Sequence, residues 1–151
     1  MKKRMLNINE VEVNDNPVVY TCYGLGSCIG LFITDSVKKL SGGAHIPLPF
    51  SLHAGEFEDA TRIINRLLFA FSNLGSDLNY LRAKVTGGAQ MYESSFGVGQ
   101  QNIEIVLQKL IDKKIFIAAT DVGGKVSRTA RFNSITGELQ ISTSEQKTYS
   151  I

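Results

Sequence analysis

The chain has little of what cross-links small or secreted proteins. Among its 151 residues are two cysteines, two histidines, three prolines and no tryptophan. So few cysteines exclude a disulfide-rich scaffold. Their spacing to the histidines, C-x5-C-x16-H-x7-H, lacks the short gaps between paired ligands that structural zinc sites favour. We therefore expect free thiols and no metal ion.

An excess of charge of one sign is also missing. Sixteen Lys and Arg residues oppose fourteen Asp and Glu residues, and the charges are scattered along the chain. A nucleic-acid-binding domain usually carries a concentrated basic patch, so we expect no nucleic-acid partner. The basic residues 2–4 are not followed by the apolar stretch of a signal peptide, and no later segment is long enough to span a bilayer. We therefore expect a cytoplasmic protein that is not embedded in a membrane.

The remaining composition is that of an ordinary globular domain. Hydrophobic residues make up 43% of the chain and charged residues 20%, which is far from the composition of a disordered protein. A chain of this length buries a continuous core without cross-links. Because it contains no repeat, linker or low-complexity tract, we predict that residues 1–151 form a single domain.

Hydrophobic periodicity predicts two helices. Apolar residues recur every three or four positions over 56–74, where Gly75 follows as a stop, and again over about 100–114. The other apolar runs are rich in β-branched residues or alternate with polar ones, and glycine or proline bounds them. The predicted strands are 18–23, 28–34, 44–49, 80–86, 115–120, 126–132 and 138–143. We predict an α/β (α+β) sandwich in which two main helices pack on a mixed β-sheet.

A glycine-rich turn over 24–27 ends at Cys28. Such a turn exposes a thiol and directs backbone N–H groups towards a substrate carbonyl. His45 follows another glycine pair, and an imidazole beside a thiol accepts its proton and lowers its pKa. We predict Cys28 as a nucleophile and His45 as its general base and acid. The candidate donors for an oxyanion are the backbone N–H groups of Gly26, Ser27 and Gly43.

Each of these residues also has a purely structural interpretation. A buried cysteine is most often a small apolar core residue, and a buried histidine is often an ordinary hydrogen-bonded one. The glycine pairs are typical turn residues. His53 has no cysteine or glycine turn beside it, so we expect it to be exposed. The glycines over 24–30 do not have the spacing of a dinucleotide-binding fingerprint, and a strand rather than a helix follows them.

Several short motifs follow one another along nearly the whole chain. They are GLGSC (24–28), GGAH (42–45) with LP (48–49), AKVTGGA (83–89) with Met91, Gly99 with Asn102, DVGG (121–124), and RF (131–132) with TG (136–137). In this order and spacing they resemble the CheD family, the chemoreceptor glutamine deamidases of bacterial chemotaxis.

The resemblance implies a compact sandwich similar to toxin-type glutamine deamidases, with Cys28 and His45 at the positions of the catalytic pair. It implies that glutamine side chains on the cytoplasmic helices of methyl-accepting chemotaxis receptors become glutamate through a cysteine thioester. It also implies pairing with a CheC-type phosphatase, and it implies no cofactor.

Two positions depart from the family pattern. A threonine commonly lies six residues before the cysteine and orients the histidine, whereas this chain has Cys22 there and Thr21 one step earlier. Neighbouring strand residues face opposite sides, so Thr21 can take this role only if the strand contains a bulge, and Cys22 is a weak hydrogen-bond acceptor. Thr21 and Cys22 are therefore alternative candidates for the orienting residue. Gln101 replaces the usual arginine at a helix start. The departures motivate a rival hypothesis, a non-catalytic chemotaxis regulator that binds receptors or a CheC-type phosphatase. A cysteine peptidase or transamidase is a third.

Overall fold

The strands divide between two five-stranded sheets in the computed structural model, which describes residues 1–51, 57–92 and 97–151. The elements in chain order are β1 (Lys2–Met5), β2 (Val11–Asn14), β3 (Val18–Leu25), β4 (Ile29–Asp35), β5 (Leu40–Ile46), α1 (Ala60–Asn73), β6 (Leu81–Gly87), α2 (Val98–Asp112), β7 (Phe116–Val122), β8 (Arg128–Asn133), β9 (Leu139–Thr143) and β10 (Thr148–Ser150).

Both sheets are mixed. The first has the strand order β1-β3-β8-β9-β10, and the second has the order β2-β5-β4-β6-β7. The pairs β1–β3 and β6–β7 are parallel, and the other neighbours are antiparallel. The predicted α+β sandwich with two main helices is confirmed, and its strands form two packed sheets rather than one.

Strand β4 is central to the core because both of its faces are covered. Ile29, Leu31 and Ile33 lie in the cluster that includes the buried faces of α1 and α2. Phe32 points the other way and stacks on Phe132 of the opposite sheet, with ring centroids 5.3 Å apart. A strand covered on both faces reads as a continuous apolar run, as this one does.

The helices are displaced slightly from their predicted bounds. The Asp59 side chain accepts a hydrogen bond from the backbone N–H of Arg62 and so caps α1, which begins at Ala60. The predicted beginning at 56 lies outside the described residues. Helix α2 follows Gly97, which has a φ of +69°. Neither α-helix in the described ranges is long and apolar enough to cross a membrane.

Strand β5 corrects the strand predicted over 44–49. It begins at Leu40 because the backbone of Gly42 and Gly43 pairs with β2 on one side and β4 on the other. It ends at Ile46 because Pro47 has no N–H to continue the ladder. The short strands β1, β2 and β10 had no sequence prediction, since they are exposed or half-buried and largely polar.

Candidate functional site

Cys28 and His45 line the same small cavity. Its volume is about 240 Å³, and it lies where β3 turns into β4 beneath the segment that joins β1 to β2. The residues that line it are Met5, Leu6, Asn7, Ile8, Tyr23, Gly24, Cys28 and His45. The structure therefore brings the predicted nucleophile and the predicted base together.

The register of β4 and β5 produces this arrangement. His45 pairs with Gly30, and Cys28 lies two residues before Gly30 along the same strand path. Residues two apart on a strand point to the same face, so both side chains project from one face of the second sheet. Gly30 adds no side chain between them.

The His45 ring is buried and held by one hydrogen bond. Its Nδ1 atom lies 2.9 Å from the carbonyl oxygen of Leu6. A carbonyl oxygen only accepts, so Nδ1 carries the proton and Nε2 of the neutral ring has a free lone pair. Nε2 is buried and has no hydrogen-bond partner among the described residues. The ring is therefore fixed in the tautomer that a general base requires.

The pKa shifts of Cys28 and His45 differ from the sequence-based expectation of a lowered thiol pKa. Burial lowers the pKa of His45, against the opposing effect of the Leu6 hydrogen bond. Burial also raises the pKa of the half-buried Cys28 thiol. Both shifts favour the neutral forms. These directions are opposite to those of the expected ion pair, in which the thiol pKa would be lowered.

The turn before Cys28 is anchored by its carbonyl groups. The carbonyls of residues 26, 27 and 28 each accept one hydrogen bond. Two of the donors directly follow β6, and the third is on α2. These donors are Ala89 N at 2.8 Å, Asn102 Nδ2 at 2.8 Å and Gly88 N at 2.9 Å. In a planar trans peptide the N–H points opposite to the C=O. The N–H groups of Ser27 and Cys28 therefore face away from these donors, and no described residue accepts from them.

Gly43 does not belong with these candidate donors. It lies inside β5, paired with Glu12 on one side and Phe32 on the other, so its backbone is committed to the sheet. A Cβ atom at Gly43 would lie 2.8 Å from Cδ1 of Leu6. Gly43 instead makes room for Leu6, whose carbonyl holds His45.

Neither candidate for the orienting residue lines the cavity. Cys22 is fully buried in the core between the sheets, where burial raises the pKa of its thiol. Thr21 contributes through its backbone, because its carbonyl accepts from Leu6 N at 2.8 Å. The contact to His45 comes from the main chain of Leu6. A backbone carbonyl has no sequence signature, so only the pairing of β1 with β3 could have indicated it.

The mouth of the cavity is apolar and exposed. Met5, Ile8 and Tyr23 line the cavity and have exposed fractions of 55%, 43% and 54%. Met91 is also exposed, and its sulfur lies against the turn at Gly26. A rim of this kind favours contact with an apolar protein surface over a small polar solute.

The other positions singled out by sequence lie elsewhere. Gln101 is in the first turn of α2, and His53 lies outside the described residues. In the described ranges, no group of three or more His, Cys, Asp or Glu side chains is placed to hold a metal ion. A larger cavity of about 580 Å³ lies around Asp35, at the far end of β4 from Cys28. There the Asp35 carboxylate accepts from the backbone of Val37 and Lys38 and from Ser76.

Comparison with known proteins identifies the family. Residues 51–143 match the model of the family described as CheD chemotactic sensory transduction. The chain is 34% identical over 144 residues to the chemoreceptor glutamine deamidase CheD of Thermotoga maritima, covering 92% of this chain and 90% of the relative. It is 40% identical over 134 residues to the Halalkalibacterium halodurans protein of the same name, covering 82% of each. The chain belongs to the CheD family.

Solved structures of remote sequence share the fold of this CheD-family chain. The YfiH protein of Bacillus licheniformis superimposes with a TM-score of 0.53 at 15% identity, over 74% of this chain and 50% of that one. Neisseria meningitidis protein NMB0706 superimposes with a TM-score of 0.55 at 9% identity, over 82% and 64%. At these identities the likeness establishes the architecture alone.

Two glycines of the CheD motifs have a steric explanation in this chain. A Cβ atom at Gly87, whose φ is +103°, would lie 2.2 Å from the carbonyl oxygen of Cys28. A Cβ atom at Gly99 would lie 2.4 Å from the carbonyl oxygen of Ala89. Both glycines permit the close approach of backbone that seats α2 and the end of β6 against the Cys28 turn.

Proposed function

We propose that this protein hydrolyses glutamine side chains of chemoreceptors to glutamate, with Cys28 as the nucleophile and His45 as the general base and acid. The observation that carries the proposal is the shared cavity in which the unpartnered Nε2 of His45 accompanies the Cys28 thiol. The relatives' name, chemoreceptor glutamine deamidase, supports the substrate.

The first half of the reaction forms a thioester. His45 Nε2 takes the thiol proton as the Cys28 sulfur attacks the carboxamide carbon, and the N–H groups of Ser27 and Cys28 stabilise the oxyanion. The imidazolium then returns the proton to the nitrogen, the C–N bond breaks and ammonia leaves. Because burial shifts both pKa values towards the neutral forms, we propose that proton transfer accompanies the attack.

The second half hydrolyses the thioester. His45 Nε2 accepts a proton from water as its oxygen attacks the thioester carbon. The C–S bond breaks, the imidazolium proton returns to the Cys28 sulfur, and the substrate leaves as glutamate. Water and the glutamine side chain are consumed, and glutamate and ammonia are produced, without a cofactor.

The size of the cavity and its rim agree with a protein substrate. A cavity of about 240 Å³ admits one side chain, and the exposed Met5, Ile8 and Tyr23 offer apolar contacts to the surface around it. We propose that the reaction takes place in the cytoplasm, on the cytoplasmic helices of the receptors. A CheC-type phosphatase is the proposed protein partner.

The test uses a chemoreceptor cytoplasmic fragment with the wild type, Cys28→Ala and, as the matched control, Cys22→Ala. Ammonia release and peptide mapping of glutamine-to-glutamate conversion are measured together. We expect conversion by the wild type and Cys22→Ala and none by Cys28→Ala. Binding without conversion would favour the regulator; peptide fragments or amine incorporation would indicate a peptidase or a transamidase.

A further inference from the structure

Asn102 on α2 is a buried polar residue that joins the two segments of the site. It is fully buried, and its Nδ2 atom lies 2.8 Å from the Ser27 carbonyl oxygen and 3.2 Å from the Pro47 carbonyl oxygen. Both partners only accept, so the amide nitrogen must face them. Ser27 precedes Cys28, and Pro47 follows His45 by two residues.

The contact lies where the β4–β5 ladder ends. Ile29 and Ile46 form its last pair, and the next position on β5's side is Pro47, which has no N–H to donate. The ladder therefore cannot continue to the level of Cys28. The Asn102 amide instead donates to the Ser27 carbonyl before β4 and to the Pro47 carbonyl after β5. It thereby joins the two segments beyond the last backbone pair.

The position of Asn102 is itself fixed. Gly99, one turn earlier on α2, lies so close to the Gly88 and Ala89 carbonyls that a Cβ atom would be 2.6 Å and 2.4 Å from them. The same loop holds the carbonyls of Gly26 and Cys28. Helix α2 and the turn before Cys28 therefore pack against the same backbone segment, residues 88–89.

Asn102 is not the residue that stability alone would favour. Its Oδ1 atom is buried without a hydrogen-bond partner among the described residues. A buried acceptor without a partner is destabilising. The residue therefore retains a buried polar group in a helix whose other buried residues are chiefly apolar.

We propose that Asn102 is a positioning residue that sets the separation and alignment of Cys28 and His45 by linking Ser27 to Pro47. The inference rests on the proposed function. Asn102 does not line the cavity that holds Cys28 and His45, so we expect its substitution to affect the alignment of these two groups more than substrate binding.

The test compares Asn102→Ala and Asn102→Ser with Val106→Ala. Val106 is buried one turn further along α2 and contacts the helix-side core, so its truncation destabilises the same helix without touching Ser27 or Pro47. Thermal unfolding ranks the stability of the variants. For Asn102→Ala, kcat for a chemoreceptor fragment is expected to fall roughly 10- to 100-fold with KM nearly unchanged, since small misplacements of reacting groups have effects of this size.

Asn102→Ser keeps one donor and is expected to retain an intermediate kcat; it decides the question if Asn102→Ala does not fold. Val106→Ala is expected to keep the wild-type kcat at a comparable loss of stability. An unchanged kcat in the folded Asn102 variants, or an equal loss in Val106→Ala, would overturn the proposal.

A second measurement separates this inference from the proposed function. The rate at which iodoacetamide alkylates Cys28 is followed against pH, with peptide mapping to locate the label. We expect Asn102→Ser to change this profile and Val106→Ala to leave it as in the wild type. If the wild type deamidates no receptor, this profile still tests the positioning role: identical profiles would refute it, and a changed profile in Asn102→Ser alone would support it.

Discussion

Adding one methyl group at Gly43 tests how His45 is held. A Cβ atom there would lie 2.8 Å from Leu6 Cδ1, 3.1 Å from Phe32 Cδ1 and 3.3 Å from the Leu31 carbonyl oxygen. The Leu6 side chain is the closest neighbour, so Gly43→Ala is expected to displace it together with the carbonyl that accepts from His45 Nδ1. Overpacking of this kind destabilises a core by about 1–3 kcal/mol. Loss of the orienting bond should lower kcat/KM by roughly 10-fold or more, since it releases the general base from its alignment.

Gly42→Ala is the matched control. The substitution is the same and the residue is the neighbour of Gly43 on β5, but its Cβ atom would meet the Glu12 carbonyl oxygen at 2.8 Å and Phe71 Cε2 at 2.9 Å, on the face of the sheet that α1 covers. It should cost at least as much stability, measured by urea unfolding, because one of these contacts is to the backbone, and it should leave the turnover of the folded enzyme near that of the wild type.

Deamidation of a receptor fragment is measured for both variants at a temperature where each is folded. We expect only Gly43→Ala to lose activity. Wild-type turnover in Gly43→Ala would refute this expectation. An equal loss of turnover in Gly42→Ala would also refute it, because the loss would then follow stability and not the position of Leu6.

Other predictions concern titration, packing and substrate contact. Burial lowers the pKa of His45 from its ordinary 6.5. As the pH is lowered, kcat/KM should therefore remain constant down to pH 6.5 and decrease only below it. A decrease that begins above pH 6.5 would contradict the assignment of His45 as the general base. Burial raises the pKa of Cys28 above its ordinary 9.0, so its alkylation by iodoacetamide should keep rising beyond pH 9; a plateau at neutral pH would reveal an ion pair. Tyr20→Phe removes a buried hydroxyl that bonds Ser41 and should lower the free energy of unfolding by about 1 kcal/mol in urea, with no change in activity. Met91→Ala should raise KM more than it lowers kcat, and the reverse pattern would exclude Met91 from the substrate-binding rim.

The parts of the fold that depend on local patterns were predictable. The three- and four-residue spacing of apolar side chains marks both helices, because it is the spacing that buries one face of a helix. The alternation of residues over 128–133 and 139–143 similarly marks β8 and β9. The division into two sheets was not predictable, since strand partners such as β3 and β8 are distant in sequence.

The candidate site was predictable only in its side chains. Cys28 and His45 follow glycine-rich segments whose conformations suit exposed reactive groups, and the structure places both in one cavity. The groups that hold them are a carbonyl of Leu6 and an amide of Asn102, and their roles depend on long-range packing. The resting protonation of the pair depends on burial, which the sequence does not specify for these two positions.

The most direct test of the central assignment is to trap the covalent intermediate. The wild type, Cys22→Ala and Cys28→Ala are mixed with a chemoreceptor fragment, quenched in acid within the first turnover and analysed by peptide mass spectrometry. We expect a thioester between a receptor glutamine position and Cys28 in the wild type and Cys22→Ala, and neither adduct nor glutamate with Cys28→Ala. Formation of glutamate by Cys28→Ala at the wild-type rate would contradict the assignment of Cys28 as the nucleophile.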